Sequence, residues 1–505
     1  MIKHKILNEK NLKNKIKELK RKNKTISLCH GVFDLLHLGH IKHFEEAKSI
    51  SDILIVSLTS DQYVNKGPGR PHFDEKSRLH AIASLETVDF VCLSDQASSL
   101  KVINLIKPNF YCKGPDYKSF KDDLTNKIKS ENQAVKKNGG KLYISNSETY
   151  SSSKLLNQNF SLFSDSQKKN ITKIRNLFNL DKIKYEIEKL KKLKVLIVGE
   201  MIIDEYNFCS AIGKSNKDPI MIFKDLYTEK YIGGAGAIAK NLMTFSENIE
   251  LLTVIGEKRD YENFIKKEIG KKVKLSFIYK KGSPTIVKRR IIDKLSNNKA
   301  LGIYKYNDQN LDVLNQLKLK NLLKKVKKYD LVIISDFGHG FINDNIAKKI
   351  CKSAKFTCAN YQLNSTNKVG HNLNKYVNAN TLVINEAEMR FHMRNSHEKI
   401  EKLMIKLKDK LKLKYLIVTR GTTGAVLCND KNFFYSDAFA VKAVDKVGAG
   451  DTFFSLVSYF LSGKINIDLS MFLSSIAAAY NVENIGNSKS LSKSMLIKTL
   501  DHILK

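Results

Sequence analysis

The 505-residue sequence contains no tryptophan, six prolines and seven scattered cysteines. No two cysteines form a CxxC pair and none joins histidine at zinc-ligand spacing, so neither a redox dithiol nor a structural zinc site is expected. Reduced thiols in a cytoplasmic setting are the default for such a pattern. No apolar stretch reaches the roughly 18 residues of a membrane span. The lysine-rich start, residues 1–24, lacks the apolar centre of a secretory signal and reads as a solvated amphipathic helix. Acidic residues are also in short supply: 51 Asp and Glu stand against 87 Lys and Arg, a net charge of +36. Such an excess can mark a nucleic-acid binder. Here it is nearly all lysine, spread along the whole chain, with no zinc finger, RGG run or basic–aromatic stripe. It reads as a compositional bias, with no nucleic acid and no membrane as partner, in a field that favours anionic substrates.

What is present is a globular composition, 42% hydrophobic, on a chain too long for one core. Strand-like runs at residues 25–28, 52–58, 88–93 and 110–113 alternate with helical patterns up to about residue 156. Residues 157–193 are polar and helical in pattern, a connector. From Val195 (VLIVG) a second alternation begins, with runs at 251–255, 331–334, 381–384 and 415–418. Both alternations predict doubly wound α/β domains. The expected division is 1–156, a connector at 157–193, and 194–505. A β-rich stretch at 220–232, together with 285–292, predicts a small sheet lying over a substrate cleft.

Residues 30–40 read HGVFDLLHLGH. Gly31 lets the backbone after a strand approach a phosphate. His37 and His40 flank Gly39 at a helix start, where both rings can face a triphosphate and the helix N-terminus favours negative charge. Alone, this could be one solvated and one packed histidine. Three more segments follow in order: KGPGRP at 66–71, KGPDY at 113–117 and TYSSSK at 149–154. The pattern GxFDxxHxGH resembles the cytidylyltransferase-like nucleotidyltransferase superfamily, and the full order resembles the adenylyltransferase part of heptose-activating enzymes. The resemblance implies nucleotide and phosphate contacts from Gly31, Phe33, Lys66, Arg70, Lys113, Ser151, Ser152 and Ser153, a sugar contact from Asp116, and catalysis by His37 and His40. The family usually carries Ser-Thr-Thr where this chain has three serines. Pairing HxGH with KSLSKS at 489–494 would suggest a class I aminoacyl-tRNA synthetase. That segment lies beyond a whole second domain and reads as the start of a C-terminal surface helix.

Residues 445–454 read DKVGAGDTFF. Gly448 and Gly450 free a turn at a helix start, whose N–H groups can hold a transferring phosphoryl group, with Ala449 between them. Asp451 is then placed as general base. This signature resembles the ribokinase-type carbohydrate kinases. The resemblance, with the other segments in order, implies sugar contacts from Asp204 (VGEMIIDEY, 198–206), from Gly233, Gly234 and Asn241 (GGAGAIAKN, 233–241), and from Lys288 and Arg290 (PTIVKRR, 284–290). The latter two share one face of a strand and suit a second phosphate on the sugar. Thr419, Gly421 and Gly424 (TRGTTG, 419–424) fit a nucleotide-phosphate loop. Asn385 and Glu388 (NxxE) would act indirectly on Mg²⁺. Each also has a plain alternative: a surface helix start for NxxE, a solvated edge strand for PTIVKRR.

Together the domains resemble the bifunctional heptose 7-phosphate kinase/heptose 1-phosphate adenylyltransferases, with the domain order reversed. That implies ATP and Mg²⁺ for the kinase, and ATP or CTP as nucleotidyl donor to a sugar 1-phosphate. Phosphorylated sugars and nucleotides would be the partners, and a homodimer is left open. It also implies that a separate phosphatase acts between the two steps. The chain departs from the family at ANYQLN (359–364), where a DPKG-like segment is usual, and at GKSNKDPI (213–220) in the lid segment. A kinase/cytidylyltransferase for another sugar or polyol phosphate is the alternative, as is, from another class, a non-catalytic basic scaffold.

Overall fold

The computed structural model describes residues 2–64, 66–96, 98–115, 127–146, 163–363, 372–488 and 491–504. Asp116, Ser151, Ser152, Ser153 and Asn364 lie outside the described residues. The chain forms two compact units, one of residues 1–164 with 494–505 and one of residues 165–493. Among the described residues no helix is long and apolar enough to cross a membrane.

The first unit is built on a six-stranded parallel sheet: β1 (Ile6–Leu7), β2 (Ile26–Gly31), β3 (Ile53–Thr59), β4 (Phe90–Ser94), β5 (Phe110–Lys113) and β6 (Lys141–Ile144). Their order is β1-β4-β3-β2-β5-β6. Alternate residues of each strand face opposite sides, and two cores result. Leu28, Ile55 and Tyr111 pack with Leu12, Ile16 and Leu19 of helix Glu9–Arg21 and with Val102 to Ile106 on one face. Cys29, Leu54, Val56 and Cys112 pack with Phe44, Ala47 and Ile82 on the other. The N-terminal helix is thus amphipathic as read, but its apolar stripe is part of the core, and only its lysine face is solvated. The order reverses beside β2, between β3 and β5, and ligands of open α/β sheets bind at such switch points, at the carboxyl ends of the strands. The HGVFD segment sits there.

The second unit carries β7 (Lys194–Lys214), β8 (Met221–Gly234), β9 (Asn248–Gly256), β10 (Lys274–Lys280), β11 (Ile286–Asp293), β12 (Lys299–Lys305), β13 (Leu331–Asp336), β14 (Thr357–Tyr361), β15 (Thr381–Asn385), β16 (Tyr415–Thr419), β17 (Ala425–Asn429) and β18 (Asn432–Ser436). The main path runs β10-β9-β7-β13-β14-β15-β16-β17-β18, with β8, β11 and β12 off it. β7 is the unusual element, 21 residues long. Its first third pairs with β9 and β13 in the main sheet. The rest, from Met201, pairs with β8 antiparallel and β11 parallel. The small sheet expected from 220–232 and 285–292 is therefore present, but the two strands flank β7 and do not pair with each other. A second buried face holds helix Ala449–Ser462, in which every residue from Thr452 to Leu461 is buried. A helix buried on every side in this way is stable only inside a core, and that fixes its N-terminus. Residues 165–188, forming helices Asp165–Leu177 and Leu180–Glu188, group with this unit. Helix Lys493–Ile503 begins at the boundary, and from Ser494 on it groups with the first unit. It is not the surface helix read from the sequence, because Leu496, Thr499, Leu500 and Ile503 are buried.

Candidate active sites

In the first unit His37 is the N-cap of helix Leu38–Ser49. The His37 and His40 rings stack with centroids 3.9 Å apart. Phe33, at φ +48°, turns its ring under the site and meets His40 edge-on at 5.2 Å and Phe44 at 5.1 Å. Phe33 is buried and acts as the floor beneath the histidines. Burial, then the charges of His37 and Lys66, lowers His40 to about 3. Burial and Lys66 lower His37 as well. Both rings are therefore neutral at pH 7 and carry one N–H each, and the Leu35 carbonyl accepts that of His40. Two cations near the site are placed by carboxylates. Arg70 pairs with buried Asp34 at 3.3 Å, and the other Asp34 oxygen accepts the N–H groups of His72 (2.8 Å) and Phe73 (3.0 Å). Asp34 therefore anchors the KGPGRP loop. Lys113 lies 3.5 Å from Glu131.

This burial has a stability consequence. His43, whose Nδ1 lies 3.0 Å from Ser145 Oγ, is lowered by burial to about 4. A histidine whose folded pKa is depressed stabilises the fold above its unfolded value near 6.5, and that stabilisation is lost as pH falls toward the folded value. The first unit should lose melting temperature between pH 6.5 and about 4. His43→Gln, which keeps a hydrogen-bonding group but no titration, should flatten that dependence in thermal melts across pH.

In the second unit a cleft of about 670 Å³ opens beside the N-terminus of helix Ala449–Ser462. Its lining brings together Asp204, Gly234, Lys288, Arg290, Asn385, Glu388, Thr419, Gly448, Gly450 and Asp451. Gly448 is the N-cap at φ +84°, and a Cβ there would come within 2.1 Å of Asn487 Oδ1. Only glycine fits. The first helical bond runs from Thr452 N–H to Gly448 O at 2.9 Å, so the N–H groups of residues 449–451 lie ahead of the ladder at the positive end of the helix. Burial, then the nearby charge of Asp204, raises Asp451 to about 7, against the opposing pull of Lys288. That is the value a base working near neutrality needs. Arg290 lines the cleft with one guanidinium nitrogen held on Asp204 at 2.6 Å. Lys288 lines it too. Its Nζ has no hydrogen-bond or ion-pair partner among the described residues and lies over Phe337 (5.5 Å) and Tyr304 (5.9 Å).

Residues 192–494, more than half of the sequence, match the model described as pfkB family carbohydrate kinase. The chain belongs to that family. Residues 28–158 match the cytidylyltransferase-like model. The protein "Bifunctional protein HldE" of Campylobacter jejuni (strain RM1221) is 28% identical over 300 residues, which are 59% of this chain and 62% of the relative. The protein of the same name from Syntrophotalea carbinolica is 38% identical over 100 residues, 19% of this chain and 20% of the relative. The chain therefore spans less than two thirds of the relatives it matches. The solved structure of phosphofructokinase-2 from Escherichia coli with substrates and products is 13% identical, with TM-score 0.50, over 62% of this chain and all of that one. It shows the fold of the second unit.

Within the pfkB unit, several residues picked out by motif serve the frame and do not line the cleft. Asn241 is buried and its amide donates to Thr452 Oγ1 at 3.1 Å. Gly233 packs against Asp204: a Cβ there would lie 2.3 Å from Asp204 Oδ2. Gly421 and Gly424 bound a tight turn after β16, at φ +59° and +91°, and Ala449 opens helix Ala449–Ser462; these three are likewise absent from the lining. Asn385 and Glu388 form a capping box, Glu388 N–H to Asn385 Oδ1 at 2.8 Å and Asn385 N–H to Glu388 Oε2 at 3.1 Å. They line the cleft while starting a helix. Burial raises Glu388 to about 7. Among the described residues no three His, Cys, Asp or Glu side chains converge as a metal cage. The residues fit a Mg²⁺ ion carried by nucleotide phosphates, which needs few protein ligands. Sequence reasoning missed Asp34, Tyr206, Lys299 and Asp445. Asp34, Tyr206 and Asp445 stand inside the quoted motifs, but their partners are distant in sequence.

Proposed function

We propose that the chain is a two-site transferase of nucleotide-sugar synthesis. The second unit would phosphorylate a sugar phosphate, heptose 7-phosphate at C1, with ATP, and the first would transfer a nucleotidyl group from ATP or CTP to a sugar 1-phosphate with release of pyrophosphate. The observation that carries this reading is the raised Asp451 at the N-terminus of the buried helix, facing a cleft that also holds Lys288, which has no ion-pair partner among the described residues. Asp451 takes the proton of the sugar hydroxyl as its oxygen attacks the γ-phosphorus. ADP leaves, and the N–H groups of the turn at 448–451 meet the charge of the transferring group. Mg²⁺, held by the phosphates near Glu388 and Asn385, would neutralise phosphate charge. In the first unit the sugar 1-phosphate oxygen attacks the α-phosphorus. Neutral His37 donates N–H to its oxygens and His40, on leaving the Leu35 carbonyl, does the same, with Lys66 close enough to share the charge of the leaving pyrophosphate. No covalent intermediate is needed, so positioning carries the rate.

Lys288 supports the choice of a phosphorylated sugar. An ammonium in a largely buried position is costly unless an anion meets it. Lys288→Met should raise the KM for the phosphorylated sugar by roughly ten- to a hundredfold, the scale of a lost charge-assisted contact, while leaving KM for ATP near wild type. Arg290→Ala should also raise sugar KM, by releasing Asp204. Because Lys288 holds the Asp451 pKa down, Lys288→Met should also move the acid limb of the kinase pH profile to higher pH. Unchanged sugar KM in Lys288→Met, or a wild-type preference for an unphosphorylated sugar, removes the case for heptose 7-phosphate.

A further inference from the structure

The small sheet of β8, β11, β12 and the far part of β7 lines one side of the cleft as a lid. An ion pair from its strand β12 reaches the turn ahead of helix Ala449–Ser462, and neither motif accounts for it. Lys299 opens β12, a strand exposed along its whole length. Its Nζ nonetheless reaches Asp445 Oδ1 at 2.5 Å. Asp445 begins the DKVGAGDTFF segment, and its side chain is 2% exposed. The same Oδ1 accepts the Val447 N–H at 3.0 Å. The other oxygen accepts the Tyr206 hydroxyl at 2.7 Å and the Gly486 N–H at 3.0 Å. One carboxylate therefore gathers donors from lid strand β12, from β7, from the turn itself and from the segment after helix Ile467–Val482. Lys299, Asp445 and Val447 all line the cleft. The Tyr206 ring lies 5.7 Å from Lys299 Nζ and 5.5 Å from the Arg290 guanidinium, which in turn holds Asp204. Burial opposes ionisation of Asp445, but Lys299, Tyr206 and the Val447 N–H outweigh it and keep the carboxyl below its usual range. A buried carboxylate stripped of its cation is strongly destabilised, so the turn and the lid strand hold one another.

We propose that Lys299 is a positioning residue of the kinase reaction, closing from the lid onto Asp445 and so fixing the turn at residues 446–450. The inference rests on the kinase reading of the cleft. Val447 shares its acceptor atom with Lys299, and Gly448, the N-cap of the catalytic helix, follows it directly. When the lid lysine leaves, the turn loses the cation that balances its anchor, and donors that must meet the transferring phosphoryl group drift. An error of about 1 Å in such donors costs on the order of a hundredfold in rate. Lys299 touches no reacting atom in this account and acts through Asp445.

The test uses the full chain with Lys299→Met, Lys299→Arg, Asp445→Asn and the double variant Lys299→Met/Asp445→Asn. Lys299→Met should lower kcat for ADP release by ~10-fold or more, with KM for ATP within about threefold of wild type. Lys299→Arg, which keeps the cation, should restore about half of the lost rate or more. In the Asp445→Asn background, Lys299→Met should change kcat by less than about twofold, because the partner is already gone. Hydrogen exchange gives a readout independent of turnover: amides of residues 446–450 should exchange ~10-fold faster in Lys299→Met. Pyrophosphate release from the first unit, which this pair does not touch, checks folding. Wild-type kcat with unchanged exchange in Lys299→Met, or effects of the two substitutions that simply add, overturns the proposal. A wild-type chain that releases no ADP with any phosphorylated sugar, yet shows faster exchange in Lys299→Met, sinks the kinase reading and leaves the tether standing.

Discussion

Asp451→Asn is expected to lower ADP release by ~10²–10⁴-fold, the scale of a lost general base, while pyrophosphate release stays near wild type. The amide keeps the shape of the carboxylate at the head of the helix and removes its capacity to take a proton. The pH dependence gives a second signature. With Asp451 raised to about 7 by burial and by Asp204, its base form is lost as pH falls through that value. The kcat/KM for the sugar should therefore drop about tenfold per pH unit below neutrality, and Asp451→Asn should abolish the limb. Loss of both activities in a variant that still melts like wild type would contradict two independent sites.

His37→Ala and His40→Ala are each expected to lower nucleotidyl transfer by ~10²-fold or more, as for other lost donors to a transition-state charge. The two should differ in stability. His40 is the more buried ring and packs on Phe33, so its removal leaves a gap and should lower the melting temperature of the first unit by several degrees, about what 1–2 kcal/mol does in a domain of this size. His37, at the helix start and half-buried, should cost little. The stability loss for His40→Ala should be far too small to account for the activity loss, which a rate per folded molecule decides. Full activity per folded molecule in both variants would make the pair a packing feature.

Much of this was legible because the decisive segments are local. DILIVSL at residues 52–58 carries four consecutive apolar residues, Ile53 to Val56, as a strand buried on both faces requires, and the run from Ile53 became β3. DKVGAGDTFF needs no distant partner to place a glycine N-cap ahead of an apolar helix. Three features were not legible. β7 was read as the five residues VLIVG, yet it continues for 21, because residues 201–209 are buried by two different sets of neighbours and carry no simple alternation. β10, β12, β17 and β18 are short or rich in lysine and polar residues, and β12 is exposed at every position; only pairing makes them strands. The role of Asp445 depends on Lys299, 146 residues away, and that of Asp34 on Arg70, 36 residues away. Closure of the fold creates both pairs. Arg290 teaches the same point: its strand face was readable, but its commitment to Asp204 was not.

The most direct test of the central claim is to incubate the full chain with a panel of phosphorylated sugars and with ATP or CTP, measuring ADP and pyrophosphate separately. Two sites on one chain predict ADP release that requires a sugar phosphate with a free anomeric hydroxyl, and pyrophosphate release that requires a sugar 1-phosphate. Asp451→Asn should suppress only the first and His40→Ala only the second. Absence of both products across the panel, or suppression of both by either substitution, would contradict the account.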